Sequence, residues 1–174
     1  MEFKAKLAAQ TAGGGGDYPE ATDAALVAMN QLGWRTGNDV ARLAFWVADA
    51  PHHNERVNNF AHEVRATKKQ DIHVYPVASS GVDELTELSM RSTAQLTGGR
   101  YLFLTDDSGV GSSHKEPSIP CYFVTRLDAA ILRMVDAEMT GTRLDPAARD
   151  VVRTGGDPKA GACTLQSGEV VSIF

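Results

Sequence analysis

The side chains best placed to do chemistry in this sequence are aspartates that stand beside apolar runs. Asp49 follows the run Leu43 to Val47 by one residue, Asp17 comes after four glycines and ahead of a helical pattern, and Asp106 with Asp107 follows the run Tyr101 to Leu104. Carboxylates gathered in this way suit a hard divalent cation such as Mg2+, Mn2+ or Ca2+, which prefers oxygen ligands. Each aspartate also has a plain structural use. Asp17 serves equally well as a helix N-cap, and Asp106 or Asp107 as a turn residue bonded to its own backbone. Asp49 is the hardest to reduce to a turn former, because the run before it is wholly apolar.

The histidines offer less. His52 and His53 are adjacent, His62 lies farther on and His114 is remote. Adjacent histidines point in different directions, and no two stand one helical turn apart as a helical zinc site requires. Asp17 and Asp49 are therefore the expected cation ligands, with His52 and Asp106 as their neighbours. A nucleophile is not visible, since no serine occupies a strand–turn–helix elbow and neither Cys121 nor Cys163 sits in an electropositive niche. The run Gly13 to Gly16 lacks the lysine and hydroxyl of a phosphate loop and follows a helix rather than a strand. The expectation is a chain without catalytic activity of its own.

Periodicity indicates the elements that would position these residues. A short helix carrying Phe3 and Leu7 precedes the glycines. Ala21, Ala24, Ala25, Ala28, Met29 and Leu32 then recur at helical spacing, with Asp17, Pro19 and Glu20 as a capping-box start and Gly33 as a left-handed stop. Leu43 to Val47 reads as a strand buried on both faces. The next helix takes Asn54 as its cap, puts Val57, Phe60, Ala61 and Val64 on one face, and ends near Lys68 and Lys69, which suit the helix dipole. Ile72 to Ala78 is a second strand, which Pro76 assigns to an edge or bulge. A third helix over about Asp83 to Leu96 stops at Gly98-Gly99 before the strand Tyr101 to Leu104, and Leu127, Ile131, Met134 and Val135 mark a fourth. Residues 141–174 read as a loop-rich extension, with Val170 to Phe174 as an edge strand.

Strands alternating with helices define an α/β fold, a parallel sheet covered by helices in three layers. Ligands of such sheets bind beyond the carboxyl ends of the strands. The loops concerned are Asp49 to Asn54, Ser79 to Asp83, and Thr105 to His114.

Composition removes several partners. The net charge is −5 and only Lys68 and Lys69 are adjacent basic residues, so no positive stripe exists to neutralise a phosphate backbone, and nucleic acid is not expected. No apolar run approaches the roughly 20 residues of a membrane span, and Met1 to Gln10 carries charges where a signal peptide would be apolar. The chain is expected to be soluble, with its compartment unknown; if it belongs to a longer precursor, the cell surface or periplasm fits. Cys121 and Cys163 are either two thiols or one bridge closing a long loop, and the sequence leaves both open.

The segments Gly13-Gly-Gly-Gly-Asp-Tyr-Pro-Glu20, Leu32-Gly-Trp-Arg35, Ala48-Asp-Ala-Pro-His52, Ile72 to Val77 and Thr97-Gly-Gly-Arg-Tyr-Leu-Phe-Leu-Thr-Asp-Asp-Ser-Gly-Val110 stand in one order. Together they resemble a bacterial branch of the von Willebrand factor A family over about residues 1–140. The resemblance implies a Rossmann-like sheet with a metal-ion-dependent adhesion site, in which one cation is completed by an acidic group of a protein ligand. Asp17 matches the second loop of that site and Asp49 the third, while the family's Asp-x-Ser-x-Ser segment has no counterpart in this chain. By this resemblance the domain is truncated on its N-terminal side, and its Mg2+ site is incomplete, binding weakly or not at all. The strand Leu43 to Val47 would then lose its neighbour, leaving an edge for a second copy of the chain or for the tail from Val170 to cover.

The expected function is a non-catalytic, adhesion-type protein-interaction module with a protein partner. Similar glycine-aspartate and Asp-Ala-Pro-x-His segments occur in von Willebrand-like regions attached to atypical kinases, so an accessory module of a larger enzyme is the alternative. A metal-dependent hydrolase using His52 and His53 is the third.

Overall fold

Three apolar runs pair as parallel strands. The computed structural model describes residues 2–11, 16, 18–79, 81–108, 114, 119–143, 145–159 and 162–172. In it β1 (Leu43–Ala48) pairs with β2 (His73–Ala78), and β2 with β3 (Leu102–Phe103), in the order β1-β2-β3. The first pairing runs in register from Leu43 opposite His73 to Ala48 opposite Ala78, whereas β3 meets only Val77 and Ala78. The helices are α1 (Glu2–Ala8), α2 (Thr22–Asn30), α3 (Val57–Lys69), α4 (Glu84–Thr97) and α5 (Leu127–Thr140).

Side chains alternate across the sheet, so each face collects its own partners. Tyr75, Val77, Leu102 and Leu104 pack with Met134 of α5, joined by Leu43, Phe45 and Leu127. On the other face Ala78, Val82 and Met90 of α4 pack with Trp46, Ala48, Tyr101 and Phe103. Trp46 also reaches the Leu26, Phe60 and Val64 cluster that joins α2 to α3. Val74, Val77 and Met90 are fully buried, and each such side chain is worth about 1.5–3 kcal/mol of transfer free energy. The chain is thus a mixed α/β protein with helices on both faces of a three-stranded parallel sheet, as its alternating runs imply.

Several boundaries differ from expectation for identifiable reasons. The capping box at α2 does not form: Glu20 pairs with His52 in an isolated parallel bridge, its N–H donates to Pro51 O at 2.8 Å, and α2 starts at Thr22 with no side-chain cap. Gly33 is not left-handed; α2 ends at Asn30 with Gln31 still in the right-handed region, and Trp34 Nε1 donates to Met29 O at 2.9 Å. Asn54 is no cap either, since it opens a single 3-10 turn, Asn54–Arg56, ahead of α3. β1 is half-buried rather than covered on both faces, with Val47 60% exposed. Among the described residues it has β2 as its only strand neighbour, so it forms an edge. Arg42 O accepts from His73 N of β2 and Ala48 O from Ser79 N just after it, which turns the backbone groups of Leu43, Phe45 and Val47 away from β2.

Pro76 stands in the middle strand, not at an edge. The alternation of donors explains how. His73 N and Ser79 N donate toward β1, so the intervening even-numbered donors face the other way, where Val74 N already bonds to Thr97 Oγ1 at 3.1 Å. The β3 ladder begins only at Val77, so the missing proline donor falls where no strand asks for it. Gly98 ends α4 in the left-handed region at φ 83°, and Gly99 runs so close to β2 that a Cβ there would collide with the Val74 carbonyl.

Among the described residues the extension after α5 carries three short strands, one of them paired with a strand that precedes α5. β4 (Tyr122–Thr125) pairs antiparallel with β5 (Val151–Gly155), and β6 (Ala162–Thr164) with β7 (Val170–Ser172). The strand expected at Val170 therefore lies on β6 and not on the open edge of β1; residues 173 and 174 fall outside the described residues. Cys121 and Cys163 form a disulfide, both nearly inaccessible and packed with Ile119, Phe123 and Val171.

Two outcomes are expected. Asp83 caps α4 by accepting from Thr86 N at 2.7 Å, so Asp83→Ala should cost about 1 kcal/mol in urea unfolding at neutral pH. Because the Thr86 bonds hold the folded carboxyl below its ordinary 3.8, that stabilisation is present above the unfolded value and vanishes as pH falls through the depressed one; an unchanged gap between native and variant at acid pH would contradict the cap. The bridge closes a separation of 42 residues, which in the chain-entropy account is worth about 4 kcal/mol, so a Cys121→Ala/Cys163→Ala double variant should unfold at correspondingly lower urea. A dithiol mass for the unreduced native chain would count against the bridge.

Candidate functional site at the carboxyl ends of the strands

The parallel register brings the ends of β1 and β2 level, so the residues that follow them share one rim. Asp49 follows Ala48 directly and is exposed to solvent. Asp83 arrives from the loop after β2, and its Oδ1 accepts from both the backbone N–H and the hydroxyl of Thr86, at 2.7 and 2.6 Å. Those bonds, with a further one from the Tyr18 hydroxyl, hold the Asp83 carboxyl below the usual carboxylate range. Tyr18 responds in the opposite sense. Partial desolvation and then the Asp83 carboxylate raise its hydroxyl above the usual value, with Asp49 adding to the effect.

Tyr18 belongs to the segment before α2, and the Glu20–His52 bridge is what pins that segment beside the loop after β1. His52 itself turns inward. It is 3% exposed, its ring lies 4.6 Å from that of Phe60, and its Nδ1 is 3.1 Å from His53 O. Asp23, in the first turn of α2, is also buried: its Oδ2 lies 3.5 Å from Arg56 Nη1 and its Oδ1 has no hydrogen-bond partner.

Of the residues singled out by sequence, Asp49 and His52 share the loop after β1, the first facing solvent and the second the core. Asp17 lies outside the described residues. Asp106 opens a 3-10 turn after β3 and is largely exposed, accepting from the backbone N–H of His114 at 2.7 Å, with His114 Nδ1 at 3.3 Å. That bonding stays within the loop after β3, as considered for it, whereas Asp107 accepts from Arg153 Nε of β5 at 2.8 Å, 46 residues away. Asp83 and Tyr18 are the rim residues that sequence reasoning did not select; the spacing of Asp83 and Thr86 marks a helix start, which hides its place on the rim.

The rim holds carboxylates without completing a cation shell. Among the described residues no three His, Cys, Asp or Glu side chains converge on one point. One oxygen of Asp83 is already committed to Thr86, and Mg2+ asks for near-octahedral oxygen geometry, so Asp49 and the remaining Asp83 oxygen fit only part of it. No described helix is long and apolar enough to cross a membrane. Compared with models of known families, with curated proteins and with solved structures, the chain matches none.

His52 distinguishes packing from ligation. As a buried ring against Phe60 it should cost about 1–3 kcal/mol on replacement by alanine, read by thermal or urea unfolding, and any cation titration should be unchanged in surviving folded protein. A stable His52→Ala variant with altered cation binding would instead make it a ligand.

Proposed function

We propose that this chain is a von Willebrand factor A-like protein-interaction module without catalytic activity, which meets its partner across the carboxyl-end rim of the parallel sheet. The observation that carries the reading is the pair of carboxylates, Asp49 and Asp83, delivered to that rim by the loops after adjacent strands, with the Tyr18 hydroxyl bonded to Asp83 and within the electrostatic reach of Asp49. Ligands of open parallel sheets gather at such a rim. The order of the glycine-aspartate, Asp-Ala-Pro-His and Thr-Gly-Gly-Arg segments supports the family likeness, and the helices on both sheet faces agree with it.

In this reading Mg2+ is a bridge rather than a cofactor. Asp49 holds it on the module, Asp17 is the second expected ligand, and an acidic side chain of the partner fills the shell. The site is incomplete without an Asp-x-Ser-x-Ser segment, so the chain alone binds the cation weakly or not at all. The Cys121–Cys163 bridge suits an oxidising compartment, in agreement with a cell-surface or periplasmic setting.

Calorimetric titration of Mg2+ tests the assignment. The chain as given should produce little or no saturable heat. A chain extended upstream with an Asp-x-Ser-x-Ser segment should bind the cation saturably, and Asp49→Ala should abolish that binding. Identical curves with and without Asp49 would remove the proposal.

A further inference from the structure

The side of the fold beyond β1 is open in all three layers. Alternate residues of a strand in a parallel sheet turn their backbone groups to opposite sides. β1 gives Ala44, Trp46 and Ala48 to β2, so Leu43, Phe45 and Val47 present their N–H and C=O groups outward, where no other described strand meets them. Natural edges are usually blunted by a lysine, a proline, a bulge or a covering loop. β1 reads Leu43-Ala-Phe-Trp-Val-Ala48, with no charge, no proline and an unbroken register, and Val47 is 60% exposed.

The helices beside this edge are bare and apolar as well. α4 lies on β2 and α3 packs between α4 and α2, so α2 is the outermost helix of its layer on the β1 side. It turns Leu26 to Phe60 and Val64 of α3, while Ala24, Ala25 and Ala28 on its outward side are exposed. These alanines belong to the helical pattern that would ordinarily be the buried face. In the other layer α5 turns Ala130 and Arg133 toward β3 and β4, whereas Met139 stands by Val40 and Ala41 just ahead of β1. Ile131 and Val135 precede Met139 at spacings of four, so they line the same flank above the edge. Both are partly exposed, and Met139 is 68% exposed.

A side that is apolar in every layer beside an unfilled strand edge marks an interaction surface. The chain's own tail does not fill it, since β7 pairs with β6. The spacing of the outward groups fits a second copy. About a two-fold axis at Phe45, the two Phe45 residues stand opposite each other and Leu43 of each copy stands opposite Val47 of the other. Alternate opposed residues of an antiparallel pair exchange both N–H and C=O, so all three outward residues of each copy are satisfied with none left over. The same axis sets α2 against α2 and α5 against α5, apolar to apolar, whereas an added peptide strand fills the edge and leaves both helices bare. We infer that the chain forms a closed homodimer by antiparallel pairing of β1 with β1 of a second copy, joining the two parallel sheets into one. The surface uses no carboxylate of the rim and does not depend on the function proposed there.

Sedimentation equilibrium of the full chain over a concentration series reads the association, and amide hydrogen exchange reads its place. The native chain should sediment as a dimer, with the N–H groups of Leu43 and Phe45 protected in the dimer and released on dilution. Val47→Pro removes one outward N–H, no bond to β2 and a side chain already exposed, so the variant should keep its fold. It should associate about tenfold more weakly or worse, for the two symmetry-related hydrogen bonds it loses. Should that variant not fold, Val47→Lys decides, since it leaves every backbone group in place and sets a charge beside Leu43 of the second copy, again with weakened association expected. A native chain that stays monomeric up to about 1 mM overturns the inference. So do open-ended assembly, a dimer in which the Phe45 amide is unprotected, and native-strength association in the deciding variant.

Discussion

The parallel pairing of β1 on β2 is the constraint from which the rest of the chain takes its geometry. Its register sets Ala48 level with Ala78, so the chain leaves both strands at the same height, and Asp49 and the loop to Asp83 share a rim. The same register puts Trp46 and Ala48 on the α4 side and Phe45 with Tyr75 on the α5 side, and so decides which helix covers which face. A slip of one residue would send every one of these side chains to the opposite layer. Burial at the centre makes such a slip expensive, because Val74 and Val77 have no exposed surface at all.

How much of this was legible depended on the kind of force that shapes each element. β1, β2 and the helices α3 to α5 are set by apolar periodicity, and a single sequence displays that directly. Pro76 misled because a proline rule concerns one donor, while the position depends on which side of the strand that donor faces; Thr97 Oγ1 and the late start of the β3 ladder are tertiary facts. Glu20 misled for a related reason. Its spacing from Asp17 copies a capping box, but its backbone is claimed by Pro51 and His52 from the loop after β1, and a long-range bridge outweighs a local signal. The strands β4 to β7 were hardest to see, being short, interrupted by Arg153 and Gly155, and partly organised by a bridge between cysteines far apart in sequence.

The rim was legible in kind and incomplete in membership. Asp49 follows an apolar run, and that placement alone brings it to the carboxyl end of a strand. Asp83 and Tyr18 could not be assigned the same way, since one reads as a helix cap and the other as a lone tyrosine near a glycine loop. Their association depends on α2 being held against α3, through Leu26, Phe60 and Val64 and through Asn30, whose side chain bonds to Glu63 and to Thr67. His52 shows the converse. A histidine beside an aspartate invites a metal reading, but in this fold its ring fills space beside Phe60.

The two ends of the sheet differ in charge because they differ in what the backbone presents. At the carboxyl ends the chain turns into helix starts, whose free N–H groups favour carboxylates, and Asp83 on α4 is one such group. At the amino ends the helices finish, their carbonyls favour cations, and Arg100 and Arg143 follow those finishes. The polarity of a parallel α/β fold therefore biases the charge of its two ends without separating the signs, since Glu138 in the last turn of α5 and Asp71 before β2 stand at the amino end as well. Residues that exceed this backbone requirement are where function has to be sought. Asp49 is such a residue, as it caps no helix.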